Sequence, residues 1–522
     1  MCDIENPMQC YQCEQTVKPN GCTTVGVCTK EPLISAIQDL IVYGCAQIPS
    51  ITLERTLQMI FMTLTNVNHN YQALKAACDE LKQVCNEEFA IHYIDIFEKK
   101  HASAALSPAY FMKKHGADTN SLIQLGIQGI KGSAAYADHA YRIVNKLNLK
   151  DSILDNSAHR LVELLNYFIY KVDASALEKL LEVGSVNFKI VEILDAYNFK
   201  LNGKPELTAV STKLYPGKSI LITGHDLADL KSLLVAAEGK VNIYTHGEML
   251  PAFMYPELKS FSNLKSHFGH AWQLQQTEFV AFPGPILFTT NCIMKPKSTY
   301  IDKCFTTGAV GYEGVKHIKN DDWSEIIEAA MNAEGFRDQQ HCDQVENSIK
   351  SKVTGVVGFN HRVFDDVAGT LLQMIKDGKI KGFRFIGGCD GCNSKRNIFT
   401  QLAETCPKDK IVLTGACGRF KVNSIEMGDI EGIPRLLDVG QCNDIYSAII
   451  ILVKLASVLG CSVNDLPIEL FVSWYEQKAI AQFLTLLSLG VKNIQLGPTA
   501  PVCITANIFK VLQEKFNVGL IE

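Results

Sequence analysis

The chain has 522 residues, more than one hydrophobic core normally holds, so we expect two to four domains. Hydrophobic residues make up 47% and charged residues 20%, a balance that is typical of globular proteins and excludes a largely disordered one. The formal net charge of -5 argues against a nucleic-acid partner, which selects for a basic surface.

The N-terminal stretch MCDIENPMQC is acidic and has no apolar run, so the sequence predicts neither a secretory signal nor a transit peptide. The most apolar segment, YSAIIILVKLASVLGCSV, contains Lys454 and falls short of a membrane span. We interpret it as a buried helix. The expectation is therefore a cytoplasmic protein with no membrane partner.

Four cysteines near the N-terminus follow the pattern C-x2-C-x8-C-x5-C: Cys10, Cys13, Cys22 and Cys28. The chain has 18 cysteines, and in a reducing compartment clustered thiols more often bind metal or carry redox chemistry than form disulfides. Zinc and iron–sulfur both remain open from the residues alone. Zinc sites favour two Cys-x-x-Cys pairs, whereas this stretch has one.

Helical periodicity dominates the chain from Pro32 to about residue 215. Apolar residues recur at three- and four-residue spacing in LISAIQDLIVYGCAQI, NYQALKAACDELKQV and SAHRLVELLNYFIYKV. The pattern predicts a helical-bundle domain over residues 1–215.

Short strands alternate with helices in the rest of the chain. Ser219–Thr223, a helix and Val241–Tyr244 form a predicted βαβ unit. Further strands are predicted within PILFTTNC, TGAVGYEGV (307–315), TGVVGFN, GFRFIGGC, KIVLTGAC, RLLDVGQC, IELFVSW and NIQLGP. This alternation predicts doubly wound, mainly parallel sheets in two α/β domains, residues 216–352 and 353–522, with a boundary near NSIKSKVTG.

Seven residues of metal-binding type lie just past the ends of these predicted strands: His225, Glu248, Cys292, Cys389, Cys417, Cys442 and Glu476. Ligands bind at the carboxyl edge of open parallel sheets, and two α/β domains facing each other there would bring all seven together at their interface. Four thiolates suit iron bridged by sulfide, and one imidazole with two carboxylates suits iron with oxygen ligands. Taken singly, each residue also fits a capping, solvated or buried structural role.

These residues lie in strings that resemble the hybrid cluster protein family, also called prismane proteins or hydroxylamine reductases. The strings occur in family order and cover nearly the whole chain: CYQCEQT, GHDL, THGEMLPA, FTTNCI, GGCDG, ACGRF, DVGQCND and SWYEQKA. The resemblance implies an N-terminal helical domain followed by two Rossmann-like α/β domains.

The resemblance also implies two iron–sulfur cofactors. The N-terminal spacing is similar to the family form that binds a [4Fe-4S] cluster through Cys10, Cys13, Cys22 and Cys28. The seven strand-end residues would hold a hybrid [4Fe-2O-2S] cluster, with a possible persulfide on Cys389. Cys392, where a small residue is expected, is a departure that is compatible with a disulfide to Cys389, a shifted persulfide or an inert side chain. Cys2 is expected to be unliganded.

The implied activity is reduction of small nitrogen species: hydroxylamine to ammonia and water, nitric oxide to nitrous oxide, or both. Glu476 is the candidate proton donor, and His246 and Lys478 are candidate donors that would support it. A lysine such as Lys478 is more often a surface or salt-bridge residue. No flavin or nicotinamide fingerprint is present, so an external electron-donor protein is expected.

Two alternatives remain open. One is a redox or nitric-oxide sensor, or a protein S-nitrosylating factor, that uses the same cluster and signals through Cys389 and Cys392. The other is a carbon monoxide dehydrogenase relative. The two glutamates argue against the second alternative, because that family holds its cluster mostly with thiolates.

Overall fold

The structure, a computed structural model, describes residues 8–16, 21–99 and 107–521. Cys2 lies outside the described residues. The helices are α1 (Pro32–Cys45), α2 (Leu53–Met62), α3 (Tyr71–Lys82), α4 (Glu87–Phe97), α5 (Pro108–His115), α6 (Ala117–Lys146), α7 (Ser152–Asn166), α8 (Ala176–Asn202), α9 (Leu227–Ala236), α10 (Pro256–Lys259), α11 (Gln275–Ala281), α12 (Ser324–Asn332), α13 (Gln339–Ile349), α14 (His361–Lys376), α15 (Asn397–Glu404), α16 (Ile445–Leu459), α17 (Gln477–Ser488) and α18 (Ala506–Phe516).

The strands are β1 (Thr208–Ala209), β2 (Ser219–Thr223), β3 (Asn242–His246), β4 (Leu264–His267), β5 (Ile286–Phe288), β6 (Cys304–Thr306), β7 (Lys316–His317), β8 (Val356–Val357), β9 (Gly382–Gly388), β10 (Lys410–Gly415), β11 (Asp429–Ile430), β12 (Ile433–Pro434), β13 (Leu436–Asp438), β14 (Ile468–Ser473), β15 (Ile494–Gly497) and β16 (Gly519–Leu520). The chain forms two compact units. Unit 1 contains the residues up to Leu194, Gly311–Glu313 and the residues from Trp474 onward, and unit 2 contains Asp195–Val310 and Gly314–Ser473.

Unit 1 is built around α6, a 30-residue helix that packs against α2, α5, α7 and α17. Gly132 allows α17 to approach closely, because a Cβ at this position would lie 2.2 Å from the carbonyl oxygen of Gln477. This contact fixes the first turn of α17, which follows Glu476. The predicted helical region is confirmed in this unit, and the division into three domains by residue range stays a prediction.

Unit 2 contains strands of two large sheets and a small antiparallel pair, β11-β12. One large sheet has the strand order β4-β3-β2-β5-β6-β7, and all of its neighbouring strands are parallel. In the other, β8-β13-β10-β9-β14 run parallel and β1 pairs antiparallel with β8. The predicted α/β class with mainly parallel sheets is confirmed. Strand β2 has its predicted bounds, and β3 ends at His246, two residues beyond the prediction.

The strand predicted within 307–315 is wrong. The chain there is a loop between β6 and β7, with one isolated bridge at Gly311. The Gly311 amide donates to the Val67 carbonyl, and the Gly311 carbonyl accepts from the His69 amide. The alternation of apolar residues and glycines in this segment is typical of a strand. The backbone amide and carbonyl of Gly311, at its centre, instead bond the loop between α2 and α3.

The apolar segment that the sequence analysis interpreted as a buried helix forms α16. Among the described residues, Cys442–Leu459 is the one helical stretch with the length and composition to cross a membrane, and half of it is buried inside the structure. Its buried side chains include Ile449, Ile451 and Leu455, and it packs against α14.

Candidate metal centre

Six of the seven strand-end residues lie in unit 2, and each follows the carboxyl end of a parallel strand. His225 follows β2, Glu248 follows β3 and Cys292 follows β5, and in the other sheet Cys389, Cys417 and Cys442 follow β9, β10 and β13. We call these six residues the strand-end site. Glu476 follows β14 along the chain and belongs to unit 1.

Three members of the strand-end site meet directly. Ligand atoms of His225, Glu248 and Cys442 all lie within 4.8 Å of one another, and all three residues are buried. The His225 Nε2 atom is 3.9 Å from Glu248 Oε2. The backbone amide of Cys442 donates to the same Oε2 atom at 3.1 Å. An imidazole, a carboxylate and a thiol therefore converge in a space from which water is excluded.

Thr290 orients the imidazole of His225. Its Oγ1 accepts from the His225 backbone amide at 2.8 Å and lies 2.9 Å from Nδ1 of the ring. A hydrogen bond at one ring nitrogen fixes the orientation of the other, as is usual for histidine ligands of metals. Nε2 is thereby directed towards Glu248 and Cys442.

The remaining thiols lie close to this group. Burial raises the pKa of the Cys417 thiol well above its usual value, and the charges of Glu248, Cys292, Cys389 and Cys442 raise it further. These groups are therefore near enough to repel one another when ionised. Because thiolates bind metal and a bound cation removes that repulsion, the arrangement favours a metal-bound state.

The hydrogen bonding of the buried Glu248 carboxylate shows whether the site fits a metal. Its Oε1 atom is buried and has no hydrogen-bond partner among the described residues. Its nearest charged neighbour is the guanidinium of Arg419, with Nη2 at 3.4 Å. A buried carboxylate oxygen without a hydrogen bond is costly unless it binds a cation. Together with the sulfur-rich donor set, it fits iron with both sulfur and oxygen ligands.

The turn that carries Cys389 is held from several directions. Trp272 Nε1 donates to the Asp390 carbonyl at 2.9 Å, and Gln273 Nε2 donates to Asp390 Oδ2 at 2.9 Å. Gly388 has φ 110°, and a Cβ there would lie 2.1 Å from the Ser473 carbonyl oxygen, so only glycine fits. Cys389 is buried, whereas Cys392 is exposed.

Two of the predicted proton donors lie at the start of α17 in unit 1. Glu476 caps the helix, since its Oε2 accepts from the Lys478 backbone amide at 2.9 Å. Lys478 is fully buried, and its Nζ lies 6.0 Å from the ring centres of Phe61 and Tyr136. Its environment is that of an enclosed cation between aromatic rings, not of a surface lysine.

His246, the third predicted donor, belongs to a hydrogen-bonded chain in unit 2. Its Nδ1 is 3.0 Å from Thr223 Oγ1 and its Nε2 is 3.1 Å from Glu278 Oε2. Glu278 Oε1 in turn lies 2.6 Å from Nδ1 of His270, whose side chain is 30% exposed. Burial raises the pKa of Glu278, but the bonds from His246 and His270 outweigh it and lower the value to about 2.

The N-terminal cysteine site (Cys10, Cys13, Cys22 and Cys28) lies in unit 1. Cys10 and Cys22 exchange two backbone hydrogen bonds, 3.1 and 2.7 Å long. Burial raises the pKa of Cys13 well above its usual value, and the charges of the other three cysteines add to the effect. The four thiols, none of them in a disulfide, therefore share one small region.

Lys30 lies beside this site and was not predicted from the sequence. Its side chain is buried, its Nζ donates to Gln38 Oε1 at 3.1 Å, and it also hydrogen-bonds Cys10. Burial lowers the pKa of Lys30, but the charges of Cys10, Cys28 and Asp39 outweigh it and raise the pKa above its usual value.

Residues that support the strand-end site were also missed, namely Thr290, Trp272, Arg419 and the buried Arg396, whose Nη1 donates to the Cys389 carbonyl at 3.3 Å. Arg419 and Thr290 lie inside the quoted strings ACGRF and FTTNCI, so their nearness to ligands in the sequence was the available signal. Trp272 lies far from any ligand in the sequence, and its role required the fold.

Comparison with known proteins gives a consistent result. The chain is similar to proteins named hydroxylamine reductase from Solidesulfovibrio magneticus (42% identical), Thermodesulfovibrio yellowstonii (40%) and Zymomonas mobilis (39%). Each alignment covers 98% of this chain and 96–97% of the relative.

Among solved structures, the chain is similar to a carbon monoxide dehydrogenase from Thermococcus sp. AM4, with a TM-score of 0.56 and 17% identity over 99% of this chain and 88% of that one. Carbon monoxide dehydrogenase IV from Carboxydothermus hydrogenoformans gives a TM-score of 0.55 and 15% identity over 99% and 90%. At this identity the likeness concerns the fold.

The fold, the buried ligand set and the named relatives define the chain as an oxidoreductase. Residues 8–521 match the model of the Prismane/CO dehydrogenase family, and the chain belongs to that family. The resemblance drawn from the eight sequence strings is thereby confirmed.

Proposed function

We propose that this oxidoreductase reduces hydroxylamine to ammonia and water, NH2OH + 2e⁻ + 2H⁺ → NH3 + H2O, at an iron cluster in the strand-end site. The observation that carries the proposal is the alignment of 98% of the chain with relatives named hydroxylamine reductase. The convergence of His225, Glu248 and Cys442 supports the location.

The proposed ligands of a hybrid [4Fe-2O-2S] cluster are the six residues of the strand-end site together with Glu476. The cluster would supply electrons and an iron site at which a small nitrogen substrate binds. A persulfide on Cys389 is part of the proposal. The chain itself orients His225 through Thr290, leaves Glu248 Oε1 without a hydrogen bond, and limits the access of bulk water by burying five of the seven proposed ligands.

Proton supply is assigned to Glu476, with Lys478 and His246 in support. Both Glu476 and Lys478 are buried, so a proton placed on either is shielded from exchange with bulk water. The chain Thr223–His246–Glu278–His270 connects buried groups next to the strand-end site with a partly exposed imidazole. Hydrogen-bonded side chains of this kind are suited to deliver protons one at a time.

The N-terminal cysteine site is proposed to hold a [4Fe-4S] cluster that passes electrons from an external donor protein. Four cysteine ligands leave no coordination position for a substrate, so electron transfer is the role that suits this site. Cys10, Cys22 and Cys28 are partly exposed, which is favourable for receiving electrons from a partner. We propose that the protein acts in the cytoplasm.

Steady-state assays on anaerobically purified protein test the activity. With a reduced dye as donor, we expect one ammonia for each hydroxylamine consumed and two electrons withdrawn from the dye. The same preparation is assayed for nitric oxide reduction to nitrous oxide, 2NO + 2e⁻ + 2H⁺ → N2O + H2O. Negligible rates with both substrates would favour the sensor or S-nitrosylating alternative, in which Cys389 and Cys392 carry the signal.

The proton-delivery assignment has its own test in Glu476→Ala and Glu476→Gln. We expect lower turnover, with a larger loss above neutral pH, where protons are scarcer. Glu192, a glutamate of unit 1 whose side chain is 40% exposed, supplies the control Glu192→Gln. Full cluster occupancy together with full turnover in Glu476→Ala would refute the assignment.

A further inference from the structure

We propose that Arg419 is a positioning residue that locks three ligand-bearing turns of the strand-end site into one arrangement. The inference rests on the proposed iron site and concerns how the chain holds the ligands before and during turnover. It assigns no chemical step to Arg419.

The guanidinium contacts the turns that carry Cys417, Cys442 and Glu248. Nε donates to the Ala416 carbonyl at 2.8 Å, one residue before Cys417. Nη2 donates to the Gly440 carbonyl, two residues before Cys442, and lies 3.4 Å from Glu248 Oε1. Glu248 and Cys442 are 194 residues apart in the chain. The single planar guanidinium of Arg419 therefore connects parts of the site that are distant in the sequence.

Asp438 completes the arrangement. Its Oδ2 accepts from Nη1 of Arg419 at 2.6 Å, while its Oδ1 accepts from the Gly440 amide at 2.9 Å. The turn before Cys442 is thus held at its carbonyl by Arg419 and at its amide by Asp438. Breaking the Arg419–Asp438 pair would therefore weaken both bonds to Gly440, the one at its carbonyl and the one at its amide.

Burial makes these contacts strong. Arg419 has no exposed surface, and Glu248 and Asp438 are also buried. Removing one partner of a buried ion pair leaves the other charge uncompensated, which is strongly destabilising locally. Without Arg419, Glu248 would lose its charged neighbour at Oε1, the Ala416 carbonyl would lose the bond from Nε, and the Gly440 carbonyl would keep only the bond from the Ala416 amide.

Lysine cannot replace this group. The guanidinium presents five N–H donors in a fixed plane, whereas an ammonium concentrates three donors at one point. Arg419→Lys keeps the charge but cannot reach the Ala416 carbonyl, the Gly440 carbonyl and Asp438 together. The proposal therefore predicts that the conservative variant does not rescue the site.

Arg435 provides a matched control in the same unit. It is also a buried arginine, and it donates to the carbonyls of Lys410, Met427 and Pro407 at 3.1, 2.8 and 2.7 Å. None of these residues belongs to the strand-end site. The Arg435 variants therefore measure the general effect on iron content and iron release of removing a buried arginine from unit 2.

The experiment compares Arg419→Lys, Arg419→Gln, Asp438→Asn, Arg435→Lys and Arg435→Gln with the unmodified protein, all purified anaerobically with their clusters. Iron per chain, the electron paramagnetic resonance signals of the two clusters, and the rate of iron release to a chelator are measured. We expect release from the strand-end site to be about 10- to 100-fold faster in both Arg419 variants, the usual effect of losing a residue that orients metal ligands. The N-terminal cluster, in unit 1, should keep its signal.

Asp438→Asn keeps Arg419 and should give an intermediate effect, which preserves the test if the Arg419 variants do not fold. Wild-type release and spectra in Arg419→Lys would overturn the proposal, and so would equal iron loss in the Arg435 variants. An unmodified protein that held strand-end iron but did not reduce hydroxylamine would refute the proposed function and leave this inference intact. An unmodified protein without strand-end iron would refute both.

Discussion

The two cysteine-containing sites of this protein are built in opposite ways. The N-terminal cysteine site takes its proposed ligands from 19 consecutive residues, Cys10 to Cys28, and its backbone bonds join near neighbours in the chain. The strand-end site has its proposed ligands, from His225 to Cys442, at the ends of six different strands. The first site requires a loop to close, whereas the second requires two complete sheets.

The charges that accompany the sites differ in the same way. Lys30, two residues from Cys28, is a flexible ammonium that bonds Gln38 and Cys10. The guanidinium of Arg419 is rigid and planar, and it hydrogen-bonds several turns of unit 2. The N-terminal cysteine site thus has a single ammonium beside it, whereas the dispersed strand-end site has a guanidinium that contacts several turns at once.

The largest expected effect follows from removing a ligand of the dispersed site. Cys442→Ser should lower hydroxylamine reduction by more than about 100-fold, because even residues that merely orient ligands cost 10- to 100-fold. The strand-end iron should be lost while the N-terminal cluster signal persists. Iron analysis, spectroscopy and turnover with a reduced dye check this expectation.

Cys461, a partly buried cysteine of unit 2 outside the site, supplies the control. Cys461→Ser should retain iron and turnover. If Cys442→Ser retained both as well, Cys442 would not be a ligand and the dispersed site would need another member.

The next effect concerns the local site. Cys10→Ala or Cys13→Ala should reduce turnover with a protein electron donor by about 10-fold or more, because removing a thiolate ligand disrupts the cluster that is proposed to accept electrons. The spectrum of the strand-end cluster should survive. Turnover with the reduced dye should fall less, because a small dye can pass electrons to the protein at more than one place.

Loss of the strand-end spectrum in the same variants would change the interpretation. The N-terminal cysteine site would then have a structural role in addition to, or in place of, electron transfer. Comparing protein-driven with dye-driven rates in one preparation separates the two outcomes.

The contrast between the sites also explains what could be predicted from sequence. The spacing of Cys10 to Cys28 indicated a metal site directly, because local chain geometry limits where four thiols can lie. The strand-end residues were found through topology, since parallel strands place their carboxyl ends on one edge. Strand β2 was correct because a β-branched run ended at a glycine.

What sequence reasoning missed depends on long-range packing. Arg419 after a strand is typical of an exposed residue, and only the meeting of three turns buries it. The segment 307–315 has a strand-like pattern, yet Gly311 pairs with Val67 and His69, which no local pattern reveals. The burial of Lys478 likewise results from the packing of α17 against α6.

A third prediction compares the acid sensitivity of the two units. Burial and, to a smaller extent, the charge of Lys30 together lower the pKa of His69 in unit 1 to about 3. Burial lowers the pKa of His361 in unit 2 to about 4, partly offset by Asp195. Both imidazoles are neutral when folded, whereas an unfolded histidine titrates near pH 6.5. The unfolded state therefore gains protons first, and stability is lost as the pH falls below about 6.5.

His69→Gln and His361→Gln should each weaken this pH dependence. The contribution lost between pH 7 and pH 5 is on the order of 2 kcal/mol per histidine, from about 1.4 kcal/mol for each pH unit below about 6.5. Denaturant unfolding of the cluster-containing protein at pH 7 and pH 5 measures it. His159, half-exposed on α7, gives the control His159→Gln, which should leave the slope unchanged. An unchanged slope in both test variants would refute the prediction.

The smallest expected effect lies in the tuning of the N-terminal cluster. A positive charge beside a cluster stabilises its reduced, more negative state, so Lys30→Met should lower the reduction potential. We expect a shift on the order of 50 mV, about 1 kcal/mol for one electron at the effective dielectric constant of a partly exposed site. Lys189→Met is the control, because the Lys189 side chain is exposed and its ammonium pairs with Glu192 at 3.1 Å. Redox titration of the N-terminal signal should show the larger shift for Lys30, and an equal or opposite shift would mean that hydrogen bonding outweighs charge at this local site.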